Sequence, residues 1–546
     1  MEKNATMGQV IPFARSASYL RRLGVKQRAQ ARPVQALEML RLSLAKARDA
    51  STIMELAQTY AEMQCPALSN RILFSLMEDE DHAPEGLYGA GCNFYAVRMN
   101  ECARDCLVLY LQKRPNGAYA QDAAELIESI DSETPTGSPL DLRINGRMDR
   151  VLNAMEGGSP RLASRLIRRA LALDGRSSAA HALQAFTFLA AGNNAAALEA
   201  ARRAMRCNKQ DIRSLCALAA SLHAVGCAET GRGFLKRAVA RIENDEDSQL
   251  VCQTACEMGE HRVVLDVLMP IEAEAPLNDE ILHLTASASY NAGEREEALR
   301  RWRLLRRIDP MDSIAEYRLK GAEADQLPAM ISYNRQVPLS ETLARLGQLR
   351  SWVQEGPEAV LALWQREDAL EKLLRWGLTS AESGVAQAMM GVLAGLGDAR
   401  ARDILRETLT EATLSDALKH HALAALCVAG SEGPHYALMH GRMALVRVSR
   451  MEKQGGHPQE DALMRLLKAK LGAQKEADQA LLKSLCQAAV ACGGRHSAHF
   501  QAQAVAIAFA HLRGLPMEAT PPSKRRKLAR LASRVIKEAQ HGMHQF

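Results

Sequence analysis

Five glycines recur along the middle of this 546-residue chain at an almost constant interval. They are Gly158, Gly192, Gly226, Gly259 and Gly293, so the intervals are 34, 34, 33 and 34 residues. A repeat of this length is the signature of a stacked array of two-helix units. Because each unit buries its apolar face only against its neighbours, such an array is continuous. The glycines therefore predict a helical solenoid for at least the middle third of the chain.

The unit that ends at Pro310 shows how one repeat is built. A first helix is predicted over 282–290, and Gly293 suits the left-handed residue that follows a helix. A second helix is predicted over 294–308, and Pro310 ends it. The residues expected between the two helices are small or fill the groove, and they are Ala286, Ala298, Trp302 and Leu305.

This unit resembles a tetratricopeptide repeat, in which small, aromatic and glycine positions recur over about 34 residues. Other units carry the pattern with departures, among them Ala185, Phe188, Ala197 and Ala204 around Gly192, and Ala219, Leu222, Leu235 and Ala238 around Gly226. Upstream, Gly91, Phe94, Ala103 and Leu107 form a further unit, and Ala57, Tyr60 and Leu73 suggest one before it. The resemblance covers roughly Val34 to Tyr317, and it implies a right-handed α-solenoid.

After Ser340 the 34-residue rhythm is lost, but helical patterning continues. Gly397 and Gly430 lie 33 residues apart within a stretch that resembles HEAT-type repeats. The predicted fold class is therefore all-α, a right-handed α-solenoid of tetratricopeptide-like helix pairs followed by a HEAT-like helical stack. The expected divisions are a basic N-terminal segment (1–30), N-terminal repeats (31–130), a linker (131–148), the central array (149–320), a joint (321–340), HEAT-like repeats (341–450), C-terminal helices (451–515) and a basic amphipathic tail (516–546).

Charge is strongly segregated along the central array. Between residues 161 and 241 there are 14 Lys and Arg against 4 Asp and Glu, whereas 243–280 holds 11 acidic residues and one arginine. Within the basic half, dibasic pairs recur every 34 residues and should form a ridge on successive second helices: Arg168, Arg169, Arg202, Arg203, Lys236 and Arg237. Arg300, Arg301, Arg303, Arg306 and Arg307 could extend this ridge. Such a ridge is either a solvated outer face or an electrostatic footprint for nucleic acid or an acidic protein.

The tail is the second basic element. Its cations are Lys524, Arg525, Arg526, Lys527, Arg530, Arg534 and Lys537, and Leu528, Leu531, Val535 and Ile536 share one helical face. This pattern predicts a basic amphipathic helix. Three roles are open: contact with anionic lipid or nucleic acid, docking on the protein's own acidic patch, or a solvated capping helix.

The inner surface of a tetratricopeptide array is where the resemblance places a ligand. The Lys and Asn clamp of carboxylate-binding members has no counterpart here, because the matching positions hold residues such as Gln249, Gln253 and Ser287. The candidate groove residues are His223, Gln253, His283, Tyr290 and Asn291, which suit a polar groove for a peptide or helix.

Catalytic and cofactor motifs are not evident in the sequence. It has no phosphate-binding loop, dinucleotide fingerprint, nucleophile elbow or HExxH pair, and Cys492, His496 and His499 lack the partner pair that structural zinc requires. We therefore expect no cofactor and no metal. The uncharged run 177–198 coincides with a repeat unit, which favours two helices and a turn over a membrane span. Scattered cysteines and an N-terminus without a signal-peptide core indicate a cytoplasmic protein.

Three hypotheses for function remain. The first is a non-catalytic scaffold that binds an unidentified protein or peptide in the solenoid groove. The second is a nucleic-acid-associated protein that uses the dibasic ridge and the basic tail. The third is an enzyme with a site at the joint, near Tyr333 and Arg335.

Overall fold

The computed structural model describes residues 16–77, 81–132, 160–366, 368–380, 382–448, 498–513 and 527–536, with Val151 and a few positions between 463 and 489. It divides into two compact units, residues 1–448 and 449–546. The described chain is helical apart from one β-hairpin and the connecting turns. No described helix combines the length and apolar character that crossing a membrane requires.

Seven helices form the N-terminal part of the first unit. They are α1 (Ala17–Ala29), α2 (Pro33–Lys46), α3 (Ala50–Glu62), α4 (Pro66–Phe74), α5 (Ala83–Ala96), α6 (Asn100–Lys113) and α7 (Ala120–Ser132). The segment 1–30, expected only as a basic extension, thus contains the first helix of an additional pair. Almost all of the predicted linker, 133–148, lies outside the described residues.

The central array contains ten described helices. They are α8 (Pro160–Leu171), α9 (Ser178–Ala190), α10 (Asn194–Cys207), α11 (Ile212–Ala224), α12 (Ala228–Val239), α13 (Asp245–Glu257), α14 (His261–Glu274), α15 (Asp279–Asn291), α16 (Arg295–Ile308) and α17 (Ser313–Glu323). The first helix of each pair begins at a side-chain cap whose oxygen accepts a backbone N–H. These caps are Ser177, Asp211, Asn244, Asn278 and Asp312. They repeat at the same interval as the glycines, so both ends of each first helix are encoded locally.

The turn glycines have the predicted left-handed conformation. Gly192, Gly226, Gly259 and Gly293 have φ between 70° and 86°; Gly158 lies outside the described residues. At Gly226 the following N–H of Cys227 bonds the carbonyl of Leu222 at 2.9 Å, which closes a Schellman turn. A Cβ at Gly226 would meet nothing within 4 Å, so backbone conformation alone favours glycine there.

A third group of six helices follows the joint. They are α18 (Leu339–Gln354), α19 (Pro357–Arg366), α20 (Asp368–Leu378), α21 (Ser383–Leu396), α22 (Ala399–Thr410) and α23 (Asp416–Val428). Their classification as HEAT-like repeats stays a prediction.

The all-helical prediction for 341–450 is wrong at its end. Strands β1 (His435–Met439) and β2 (Arg442–Val446) form an antiparallel hairpin in which His435 pairs with Val446 and Met439 with Arg442. The two turn residues, His440 and Gly441, have φ of 52° and 74°, as a type I′ turn requires.

The three helical groups of the first unit share their cores. Tyr60 and Leu37 of the N-terminal helices belong to the same apolar cluster as Trp302, Leu305 and Ile308 of α16. The hairpin residues Tyr436, Leu438 and Met443 complete the cluster of α5 and α6. The described residues up to Val448 therefore fold as one compact unit rather than as separate repeat domains.

The second unit, taken by itself, has a core built by α24 (Ala498–Arg513) and a helical stretch over 527–536. Leu528, Leu531 and Val535 are buried against residues such as Val505 and Phe509. The apolar face of the tail thus packs within its own unit.

Candidate functional site

The joint between the central array and the third helical group is a non-helical segment bound against the array. We call residues 328–337 the strap. It follows α17, contains no helix or strand, and contacts the start of α14, the end of α15 and the middle of α17. Tyr333 also packs against a cluster that includes Cys252 of α13. First helices α13, α15 and α17 therefore hold it along the surface where a ligand of a tetratricopeptide array is expected.

Asn291 and Arg318 bind the strap through its backbone. Asn291 donates Nδ2–H to the Ile331 carbonyl at 2.9 Å and accepts the Ile331 N–H at 2.8 Å. Arg318 donates from one nitrogen to the carbonyls of Ser332 and Asn334, both at 2.8 Å. Arg318 is itself 2% exposed and is fixed by the Ser287 hydroxyl at 2.8 Å. Such contacts recognise a peptide backbone whatever its side chains are.

Tyr333 inserts into the apolar core between α13 and α15. Its ring packs in the cluster that contains Cys252 and Val264, and its hydroxyl lies 2.8 Å from His261 Nδ1. Burial raises the pKa of Tyr333, with further contributions from Cys256. The phenol is thus a neutral hydrogen-bonding group in this pocket.

Arg335 lies between two buried carboxylates. It is 3.3 Å from Asp279 and 3.5 Å from Asp312, which are 5% and 8% exposed. Asp312 also accepts the backbone N–H groups of Ile314 and Ala315. The Asp carboxylates therefore form an anionic pocket at the N-termini of α15 and α17.

His283 supports this pocket from behind. Its Nε2 is 2.5 Å from Asp312 Oδ2, and the ring is 1% exposed. Burial lowers the pKa of His283, so the neutral ring donates its Nε2–H. Burial alone would raise the pKa of Asp312, but His283 and Arg335 outweigh it and hold that pKa well below its usual range.

The structure brings together only some of the predicted groove residues. Asn291 holds the strap, Tyr290 donates its hydroxyl to the Pro328 carbonyl at 3.1 Å, and His283 lies in the layer beneath. Gln253 is exposed on α13, and His223 is half-buried one repeat earlier on α11. Sequence reasoning did not identify His261, Arg318, Asp279 and Asp312 as site residues. The two aspartates gave no sign of a binding site in the sequence. Asp is common at the cap and in the first turn of helices that bind no ligand.

The dibasic pairs occupy equivalent positions on α8, α10 and α12. All six side chains are exposed, and each pair is followed by an alanine with no exposure, Ala170, Ala204 or Ala238. Glu199 pairs with Arg202 at 3.0 Å, and Arg237 stacks 5.0 Å from the Phe234 ring. Among the described residues, Arg168, Arg203 and Lys236 contact no acidic side chain.

The arginines of α16 are different, because each contacts an acidic side chain. Arg301 is 2% exposed and binds Glu272 at 2.9 Å. The other pairs join Arg300 to Glu297, Arg303 to Glu323, Arg306 to Glu316 and Arg307 to Glu38. The exposed dibasic ridge therefore differs from α16, where the arginines are engaged in ion pairs.

The basic tail is described in part. Lys527, Arg530 and Arg534 are exposed on its helix; Lys524, Arg525, Arg526 and Lys537 lie outside the described residues.

A cavity of about 910 Å³ lies beside the joint. Its lining includes Glu316, Tyr317, Arg345 and Lys372. Arg345 lies over the Trp376 ring at 4.8 Å and donates to Glu341 at 2.7 Å. Neither Tyr333 nor Arg335 lines this cavity, and both side chains are engaged in holding the strap.

Comparisons with known proteins return remote structural likenesses. No protein-family model and no curated protein sequence matches the chain. Among solved structures, the Cut9-Hcn1 hetero-tetramer of the APC/C matches with 12% identity, over 75% of this chain and 96% of that one, at a TM-score of 0.28. The human IFIT1 dimer with PPP-AAAA matches with 13% identity over 77% and 91%, at 0.25. Yeast Tom70 matches with 13% identity over 91% and 96%, at 0.19.

The chain's own helix pairs, their period and their left-handed turns are what define the fold, which is an α-solenoid of tetratricopeptide-like repeats.

Proposed function

We propose that this chain is a non-catalytic interaction scaffold that binds an extended segment of a partner protein along the first helices of its central array. The observation that carries the proposal is the paired hydrogen bonding of Asn291 to both backbone groups of Ile331. A side chain placed in this way binds a peptide backbone, which is the task of a peptide receptor. The first helices α9, α11 and α13 continue the array, and exposed Gln249 and Gln253 lie on α13.

Site-specific crosslinking tests this proposal in the cell. A photo-crosslinking p-benzoylphenylalanine at position 253 should yield reproducible protein adducts, because it stands on a first helix. The same group at position 203, exposed on a second helix, is the matched control and should yield none of those adducts. Mass spectrometry should place the crosslink in an extended partner segment. Identical adducts from both positions, or none from position 253, would contradict the proposal.

A second candidate is nucleic-acid binding by the dibasic ridge. It is favoured by the exposure of all six cations and by the lack of described acidic partners for Arg168, Arg203 and Lys236. Because such binding releases counterions, affinity for a duplex probe should fall steeply with salt. Replacing Arg168, Arg203 and Lys236 by glutamine should flatten that slope by about three units. An unchanged slope would exclude the dibasic ridge as the surface that binds nucleic acid.

A further inference from the structure

Side chains of the array bind the strap in the way that a receptor binds a peptide ligand. Its contacts come from side chains of α13–α17 that are positioned by the array itself: Asn291 ends α15, Arg318 lies within α17, and His261 begins α14. The strap's carbonyls and one N–H meet these groups at 2.8–2.9 Å. The array therefore presents a site whose geometry does not depend on the strap's own local structure.

Three strap residues contact the array through their side chains. Ile331 packs against the cluster of Trp302, Tyr333 reaches His261, and Arg335 reaches the two carboxylates. Ser332 and Asn334 are exposed and Met330 is 58% exposed, and the Arg335 side chain is 45% exposed although it reaches both carboxylates. The site thus selects an aliphatic residue, a tyrosine and an arginine at positions i, i+2 and i+4.

The anionic pocket favours a cationic occupant. Asp279 and Asp312 are buried, and removing Arg335 would deprive both of an ion pair in a largely desolvated site. His283 is neutral and supplies a hydrogen bond but no charge. A vacant site therefore favours a segment that brings a guanidinium, whose planar fork suits carboxylates.

We propose that the surface formed by α13, α14, α15 and α17 is a recognition site for a partner segment with the pattern aliphatic-x-Tyr-x-Arg, and that the strap occupies this site until such a segment displaces it. This inference rests on the proposed function in naming a partner protein as the occupant. Because the strap is tethered, its effective concentration is high, and a free peptide of equal contacts competes poorly with it. The strap thus raises the concentration of partner segment that is needed for binding.

The test uses a fluorescent peptide of residues 328–337 and the full-length chain. Replacing residues 329–336 by an equally long Gly-Ser segment should expose the site and strengthen peptide binding at least about tenfold relative to the unmodified chain. In the peptide, Arg335→Glu should weaken binding by about tenfold or more, since it opposes two carboxylates. Met330→Ala is the matched control and should leave affinity unchanged. Asn291→Ala in the strap-replaced chain should also lose binding.

Folding is checked by circular dichroism and thermal unfolding, and Tyr333→Ala provides a milder second variant that keeps Arg335. Folded variants that leave the peptide unbound, or bind it no better than the unmodified chain, would overturn the proposal. Loss of folding in both variants would also overturn it, because the strap would then be an integral part of the core. Peptide binding without cellular crosslinks at position 253 would instead reject the proposed function and leave the strap site standing.

Discussion

At the scale of single residues, the left-handed backbone conformation, with positive φ, recurs at the turn inside each helix pair. In the central array it falls on glycine, but in the N-terminal helices it falls on Ala31, Gln64 and Arg98, with φ of 56°, 58° and 59°. The N–H of Met99 bonds the Phe94 carbonyl at 2.9 Å, the same turn as at Gly226. These residues are spaced by 33 and 34 positions, so the N-terminal repeats keep the period without the glycine that would reveal it.

Exchanging glycine at these turns should shift stability in opposite directions. Gly226→Ala should destabilise the fold by about 1 kcal/mol, because a Cβ is disfavoured in the left-handed region. Arg98→Gly should stabilise it by about 0.5 kcal/mol, since relief of that cost exceeds glycine's entropy penalty. Urea unfolding measures both changes. Arg98→Ala is the control, and a gain equal to that of Arg98→Gly would show that backbone conformation is not the cause.

Glu316 should make stability depend on acid pH. Burial would raise its pKa, but bonding by Lys320 and the charges of Arg306 and Lys372 outweigh this and lower the pKa to about 2 from an ordinary 4.5. Ionised Glu316 therefore stabilises the fold at pH above about 5, and this contribution is lost as the pH falls towards 2. Glu316→Gln should lower the melting temperature at pH 7 and change it little near pH 2. The control Glu128→Gln, at an exposed position, should show no such pH dependence. If the melting temperatures of Glu316→Gln and of the unmodified chain change in parallel with pH, the lowered pKa of Glu316 is refuted.

At the scale of elements, the hairpin is the part of the fold that local patterns did not predict. Its strands are short, continuous apolar runs, which periodicity cannot distinguish from helix. The signal available was His440-Gly441, a two-residue turn between the runs. The hairpin is held by distant residues: Arg442 bonds Asp105 at 2.6 and 2.7 Å, and the Lys419 ammonium donates to the Leu438 carbonyl at 2.8 Å. Partners this far along the chain cannot be read from a local pattern.

Removing one hairpin side chain should loosen the N-terminal helices. Met443 is 5% exposed in the cluster of α5 and α6, so Met443→Ala should cost about 2–5 kcal/mol. Amide exchange in α5 and α6 should accelerate, because the hairpin completes their core. Leu445→Ala, at a position 47% exposed, is the matched control with an effect below about 0.5 kcal/mol. Exchange that accelerates only within the hairpin would contradict the shared core.

At the scale of the whole first unit, the N-terminal helices close onto the end of the central array. Tyr60 donates to the Ile308 carbonyl at 3.0 Å, and Arg71 binds Asp309 at 2.9 Å. Burial would raise the pKa of Asp309, but Arg71 outweighs it and lowers that pKa. This contact packs the end of α16 against the N-terminal helices, and it joins residues more than two hundred positions apart.

Breaking this closure should be costly. Arg71→Met leaves Asp309, which is 8% exposed, without its cation and should destabilise the unit by about 3–5 kcal/mol. Amide exchange should increase in both α4 and α16. Arg48→Met removes an arginine that is 56% exposed from its pair with Asp403 and should cost less than about 1 kcal/mol. Equal effects of the two substitutions would show that burial of the Asp309 pair does not matter.

The sequence alone determined the helix pairs of the central array, because their caps, left-handed glycines and apolar spacing are signals that act within one repeat. It also determined the exposure of the dibasic pairs, which follows from helical periodicity. Only the tertiary structure decided that the joint lies bound against α13, α14, α15 and α17, that the N-terminal helices share a core with α16, and that the hairpin completes the core of α5 and α6. Those features depend on Arg335 meeting Asp279 and Asp312, and on Tyr60 meeting Ile308. Such contacts join residues from separate repeats and become adjacent only when the whole unit packs.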